Sequence, residues 1–200
     1  MESLESRAGR IHPGACSRIS SYQRGNSGVI EPSQSDIQVV FRRMRGEDIP
    51  QVHAIDLASF TLPWSERSFH FEVEQNAHAR AWVAERRGEK QAPQIVAMLV
   101  LWLILDEAHL ATIAVHPGYR RQRLGSRLLA HALLDAVSEG ARVVYLEVRS
   151  SNLAAQALYK EFGFEVVGIR KQYYQDNQED AVLMTLNNPK PEILKKYANW

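Results

Sequence analysis

Cysteine is nearly absent. Cys16 is the one thiol in 200 residues, which excludes an internal disulfide and a cysteine-built zinc site and makes a reducing cytoplasm the simplest compartment. Long apolar runs are missing too. The longest, Val96 to Leu105, is half the roughly 18–20 residues of a membrane span and suits a buried strand. The N-terminus lacks the apolar core of a signal peptide, and Glu2 and Glu5 argue against an organelle transit peptide. Charge of one sign is not in excess: the net value is +1, so no whole-chain field points to nucleic acid or to a membrane, and neither is expected as a partner. The seven histidines, His109, His116 and His131 among them, show no metal-ligand spacing with a second His or Cys, so no metal is expected. Internal repeats and low-complexity blocks are also lacking. What remains is the length and composition of one globular domain.

Against that neutral background one segment is locally basic. Val115 to Leu129 reads as the end of a strand, a tight turn and the start of an apolar helix, with Arg120, Arg121, Arg123 and Arg127 inside eight residues and no acid among them. Such a turn presents unpaired backbone N–H groups at a helix N-terminus, where the helix dipole also favours an anion. A local basic turn suits a small anionic ligand better than a polymer, and a phosphate compound fits it.

The flanking pattern gives an α/β order. Residues 1–36, rich in Ser, Gly and Arg, are expected to be a disordered extension. A strand at Ile37 to Met44 precedes a helix near Asp48 to Ser59, a loop through Phe60-Thr61-Leu62-Pro63-Trp64, and a short helix capped by Ser65. Strands follow at Ala81 to Glu85, Ile95 to Leu105 and His109 to Val115, with residues 86–93 as a connection. The helix after the basic turn runs to Glu139, with Gly140 as its C-cap. A strand at Ala141 to Arg149, a helix capped by Ser151 or Asn152, and strands at Phe164 to Val167 and Asp180 to Leu186 complete a domain over 37–186. Residues 187–200 read as a C-terminal tail. The order β-α-α-β-β-β-α-β-α-β-β implies a mixed central β-sheet with helices on both faces.

Three side chains stand out chemically. Alternation along the 141–149 strand puts Glu147 on the face of Tyr145 and Arg149, opposite Val144, Leu146 and Val148. A carboxylate there needs a partner or a purpose. A cross-strand ion pair with Arg149 or a lysine satisfies that need, and so does proton transfer. Tyr159, on the following helix, is either a core tyrosine with its hydroxyl at the rim or a proton donor. Asn152 is a helix cap, a ligand contact, or both.

Four stretches, in order, carry a resemblance. They are Ile113-Ala114-Val115-His116-Pro117 with the basic turn; Leu146-Glu147-Val148-Arg149-Ser150-Ser151-Asn152; Ala157-Leu158-Tyr159 with Phe162-Gly163-Phe164; and Ile169-Arg170-Lys171-Gln172-Tyr173-Tyr174 followed by Glu179-Asp180-Ala181. Pro63-Trp64-Ser65 adds a weaker agreement. Together they resemble the GNAT N-acetyltransferase superfamily over residues 37–186, and within it the RimI-like N-terminal alanine acetyltransferases of bacterial ribosomal proteins. The resemblance implies a GNAT fold with a splayed, acetyl-CoA-binding strand pair and acetyl-CoA as co-substrate. It places the pantetheine arm on Ile113, Ala114 and Val115, and the pyrophosphate on Arg121, Gln122, Arg123, Leu124, Gly125 and Ser126. Asn152 falls near coenzyme A, Glu147 on the general base and Tyr159 on the general acid. Trp64, Tyr173 and Tyr174 fall in the loops that bracket the acceptor.

One letter departs from the family pattern. Arg123 stands where the turn has its first glycine, a residue that allows close approach to phosphate or positive φ. The arginine is expected to be accommodated at negative φ, with its side chain directed outward or onto a phosphate. The implied activity is transfer of acetyl from acetyl-CoA to the N-terminal amine of a protein, a ribosomal protein starting with Ala, by direct attack in a ternary complex in the cytoplasm. A GNAT acting on lysine side chains or a small amine is the alternative enzyme. A catalytically weak coenzyme A-binding module is the alternative from another class.

Overall fold

The computed structural model describes residues 37–89 and 91–199, so the expected disordered extension over 1–36 lies outside the described residues. Seven strands and five helices follow in order: β1 (Ile37–Arg43), α1 (Ile49–Leu57), α2 (Glu66–Glu74), β2 (Ala79–Gly88), β3 (Gln91–Ile104), β4 (Glu107–Val115), α3 (Leu124–Ser138), β5 (Val143–Arg149), α4 (Leu153–Glu161), β6 (Glu165–Tyr174), β7 (Glu179–Asn187) and α5 (Pro191–Ala198). The strands form one sheet in the order β1-β2-β3-β4-β5-β7-β6. Every pairing is antiparallel except β4 with β5, whose α3 crossover brings two parallel strands side by side.

The centre of the sheet is buried on both faces, which explains the near-continuous apolar run of β3. Leu99, Leu101 and Leu103 face a core completed by Leu128, Leu129 and Leu133 of α3 and Leu194 of α5. Met98, Val100 and Trp102 face a second core built on Ile49, Val52 and Ile55 of α1 and Phe69 of α2. Local signals fix the helix ends. The Ser65 hydroxyl accepts the Ser68 N–H at 3.1 Å, and Gly140 takes φ +107° just beyond α3. Arg42 of β1 forks onto buried Asp48 (2.7 and 2.8 Å) and also bonds buried Glu85, which ties α1 to the sheet edge.

The structure corrects the sequence reading in three places. Residues 86–93 are not a long connection: the β2–β3 ladder continues to Gly88 opposite Gln91. Pro93 sits within the register shift near that turn, where no ladder N–H is required of it. Strand β6 runs on to Tyr174 through a bulge between Arg170 and Tyr174, so Tyr173 and Tyr174 belong to a strand and not to a loop. Residues 191–198 form a helix whose Leu194 and Ala198 are buried beside α3 and whose Tyr197 stacks on Phe162 at 4.3 Å. Eight residues were too few to reveal that period. No helix among the described residues is long and apolar enough to cross a membrane.

Where α3 covers β1 and β2, His131 stacks on Phe41 (4.8 Å) and lies 6.2 Å from Trp82, with the Arg127 guanidinium over Phe41. Burial first, and the Arg127 charge second, hold its pKa below the ordinary value. The unfolded chain therefore takes up this proton before the folded one does. The stability that goes with neutral His131 is complete above about pH 6.5 and is lost as pH falls below it. His131→Phe should accordingly flatten the fall in melting temperature between pH 7.5 and pH 5.5, measured by circular dichroism. An unchanged slope would assign the acid sensitivity to other groups.

Candidate active site

A single extra residue opens the site. On β3, Val100 pairs with Thr112 and Leu101 with Leu110, so Ala111 bulges from β4. The bulge reverses the strand's facing: Ala108 and Leu110 point to the α3 side before it, and Ile113 and Val115 point there after it. It also ends the parallel pairing. β4 and β5 are joined from Glu107–Val143 to Leu110–Leu146 and no further. Beyond that point they separate around a cleft of about 520 Å³. The β4 edge from Ala111 onward forms one wall, Leu146 to Arg149 of β5 the other, and the α1–α2 loop and α4 close the ends.

Of the expected site residues, Trp64, Ile113, Ala114, Val115, Gly125, Glu147, Asn152, Tyr159 and Tyr174 line this cleft. Glu147 reaches it by the alternation of β5; its side chain is 39% exposed, and its neighbour is Arg170, Nη1 to Oε1 3.5 Å, in place of the expected Arg149 or lysine. Tyr159 is 5% exposed, its ring tilted against Phe164 at 5.7 Å. Among the described residues its hydroxyl has no hydrogen-bond partner. Burial, with a smaller push from Tyr174, raises its pKa well above the ordinary phenol, so the group stays protonated. Asn152 is the cap of α4: its Oδ1 accepts the Ala155 N–H at 3.1 Å.

Both readings of Trp64 hold at once. The ring packs 5.4 Å from Phe69 and 6.4 Å from Trp102 while forming part of the cleft wall. Tyr173 is not on that wall; it meets Tyr174 edge-on at 5.2 Å, with Arg170 over its own ring. Burial pushes the Tyr174 phenol up to about 12.

The basic turn differs from expectation. Arg123 takes φ +58° and Arg121 φ +65°, so the expectation of negative φ at Arg123 fails. A left-handed residue on each side of Gln122 curls the backbone into a concavity ahead of α3, of the kind that gathers N–H groups around an anion. Arg120 donates from Nε to the Val115 carbonyl (3.1 Å) and from Nη2 to Ser59 (3.4 Å), so one acceptor of the β4 edge is already used. Arg127 points at Phe41, away from the turn.

Sequence reasoning missed two other parts of the cleft. Asp56 of α1 is 1% exposed; its Oδ2 accepts the Trp64 N–H at 2.6 Å, Oδ1 has no partner among the described residues, and burial raises its pKa. An acid beside the apolar positions Ile49, Val52 and Ile55 was the available signal. Arg149, Asp176 and Thr61 form a polar cluster at one end of the cleft, and their separation in sequence hid it.

A cleft between splayed parallel strands, with a left-handed turn at a helix start, is the arrangement that the GNAT resemblance implies. The family model for the acetyltransferase (GNAT) family matches residues 49–164, and the chain belongs to that family; it is an acetyltransferase. Its relatives narrow the comparison. The chain is 43% identical over 143 residues to a Bacillus subtilis protein provisionally named a ribosomal protein bS18-alanine N-acetyltransferase, covering 72% of this chain and 91% of that one. It is 36% identical over 148 residues to the ribosomal protein bS18-alanine N-acetyltransferase of Escherichia coli, covering 70% and 90%. The crystal structure of the ribosomal-protein-S18-alanine N-acetyltransferase from Escherichia coli matches with a TM-score of 0.67 at 34% identity, over 76% of this chain and 96% of that one.

Proposed function

We propose that the protein transfers acetyl from acetyl-CoA to the N-terminal α-amine of a protein, and that the acceptor is a ribosomal protein beginning with Ala, in the cytoplasm. The observation that carries the reading is the pairing of Glu147 and Tyr159 on one cleft, beside the open edge of β4. The catalytic unit is residues 37–186 together with α5, whose Leu194 completes its core.

The family resemblance and the placement of these residues on the cleft support the following roles. Backbone groups of Ile113 to Val115 lie on a strand edge that β5 does not pair, with the Val115 carbonyl taken by Arg120, and there the amides of a pantetheine arm add like a short strand. Arg121 to Ser126 offer the concave turn and the start of α3 to a pyrophosphate. Glu147 takes the proton of the attacking amine. Tyr159, kept protonated by burial, returns one to the departing thiolate. Trp64 and Tyr174 line the mouth that receives the peptide, with Tyr173 behind Tyr174. A chain α-amine has a reference pKa of about 7.7–8.0 against about 10.4 for lysine, so a single carboxylate base suffices for it.

The test is acetylation of Ala-, Ser- and Met-starting peptides, with matched internal-lysine peptides and polyamines, by the full-length protein and by a form starting at Asp36. The Ala-starting peptide should lead. Preference for lysine or polyamine would replace the acceptor, and tight acetyl-CoA binding without turnover on any amine would leave a binding module.

Arg123 offers a separate measurement. Left-handed backbone costs a non-glycine residue about 1–2 kcal/mol. Glycine returns about 0.5–1 kcal/mol of that as unfolded-chain entropy, and both terms act on folding alone, the same in free and bound protein. Only the lost cation enters binding, worth about 0.2–1 kcal/mol for an exposed ion pair. Arg123→Gly should therefore keep its acetyl-CoA Kd within about fivefold, by calorimetry. Weakening beyond tenfold would show that the side chain itself holds a phosphate.

A further inference from the structure

We propose that Arg149 is a positioning residue for the acceptor: its guanidinium clasps the α1–α2 loop to the β6–β7 turn and so sets the shape of the mouth through which the peptide end enters. The proposal rests on the peptide acceptor argued above and adds residues that take no part in proton transfer.

Arg149 lies two positions beyond Glu147 on β5, so both side chains leave the same face of the strand. Their fates differ. The Arg149 Nη2 donates to both oxygens of Asp176 (3.0 and 2.8 Å) and to Thr61 Oγ1 at 3.4 Å. Its Nη1 donates to Asn177 Oδ1 (3.1 Å) and Glu179 Oε2 (3.2 Å). The Thr61 hydroxyl donates directly to Asp176 as well. One guanidinium thus joins β5, the α1–α2 loop, the β6–β7 turn and the start of β7.

Two further contacts extend the clasp to the chemistry. The guanidinium carbon sits 3.9 Å from the centre of the Tyr174 ring, which holds that ring on the cleft wall. Glu179 also accepts the Ser151 N–H at 2.7 Å and the Ser150 hydroxyl at 3.2 Å, in the turn that leads to the Asn152 cap and the helix carrying Tyr159. These bonds, from Ser151 first and then from Asn177 and Arg149, hold the Glu179 carboxyl at about 2, so it stays charged at any working pH.

The cluster is unlike a loose surface pair. The side chains of Arg149, Asp176 and Glu179 are 24, 16 and 13% exposed, and the planar fork is matched on both sides. A lysine would supply the charge. It would supply neither the fork nor the stacked plane. The α1–α2 loop and the β6–β7 turn have few other ties: Arg120 to Ser59 and Asp56 to Trp64 anchor the first from below. The Thr61–Asp176–Arg149 bridge is what joins the two loops to each other across the mouth.

The experiment uses the full-length protein and three variants, Arg149→Lys, Asp176→Asn and Thr61→Val, with initial rates measured against acetyl-CoA and against the amine that the parent turns over best. The expected result is a rise of about tenfold in the acceptor KM for Arg149→Lys and Asp176→Asn, with a smaller rise for Thr61→Val. The acetyl-CoA KM should stay within twofold, and the pH–rate profile should keep its shape. Hydrogen exchange should show faster exchange in residues 59–62 and 175–178, with 113–115 unchanged. Lower melting temperatures with both KM values unaltered would reduce the cluster to a structural staple and overturn the proposal. A fall in kcat with both KM values unaltered would overturn it equally. A parent that prefers lysine or a small amine would overturn the acceptor reading instead, and the exchange data would still report whether the clasp holds the loops.

Discussion

Glu147→Gln should lower kcat on an Ala-starting peptide by about 10²-fold or more at pH 7, with the acetyl-CoA Kd unchanged. Glutamine keeps the shape and the strand pairing but cannot accept a proton. The loss has a characteristic pH dependence. About a tenth of a chain α-amine is neutral at pH 7, and most of it is neutral at pH 9. The ratio of parent to variant should therefore shrink as pH rises, because solvent then does the deprotonation. The pair with Arg170 is half-exposed at 3.5 Å, so breaking it should alter stability by less than about 1 kcal/mol. Rates within threefold of the parent at pH 7 would remove Glu147 from the mechanism.

Tyr159→Phe is expected to separate activity from stability. The substitution deletes one oxygen from a ring packed against Phe164 and leaves the packing intact. That oxygen bonds no other described residue and belongs to a side chain that lines the cleft, so its removal should leave the melting temperature nearly unchanged. Turnover should nonetheless fall by about 10²-fold, because the thiolate loses its proton donor. The phenol pKa is raised by burial, so the donor is present across the whole neutral range, and no alkaline limb near pH 10 should arise from Tyr159. A variant that loses turnover and stability together would make Tyr159 a packing residue.

The parts of this architecture that depend on neighbouring residues were legible in the sequence. Ser65 and Asn152 act as caps by their own side chains, Gly140 by its φ, and the alternation of β5 alone carries Glu147 to the cleft. The parts that depend on distant partners were not. Arg149 meets residues 61, 176 and 179, and no local spacing announces that. Arg170, not Arg149, meets Glu147, because β7 lies between β5 and β6 and Arg170 reaches across it, an order the chain does not spell out. Ala111 is an ordinary strand residue by type, and its bulge is visible only against the register of β3. The positive φ at Arg121 and Arg123 runs against the preference of the residues themselves, and so the letters could not show it.

That bulge carries a lesson about how this site tolerates change. The cleft exists because β4 holds one more residue than β3 requires. The identity of Ala111 matters little to this, whereas the number of residues between Leu110 and Thr112 matters a great deal. Removing one would return Ile113 and Val115 to the opposite face of the sheet and let β4 run on beside β5. In this protein the strand edge proposed to meet the donor is encoded by a count, and drift in sequence can pass freely where a change in length cannot.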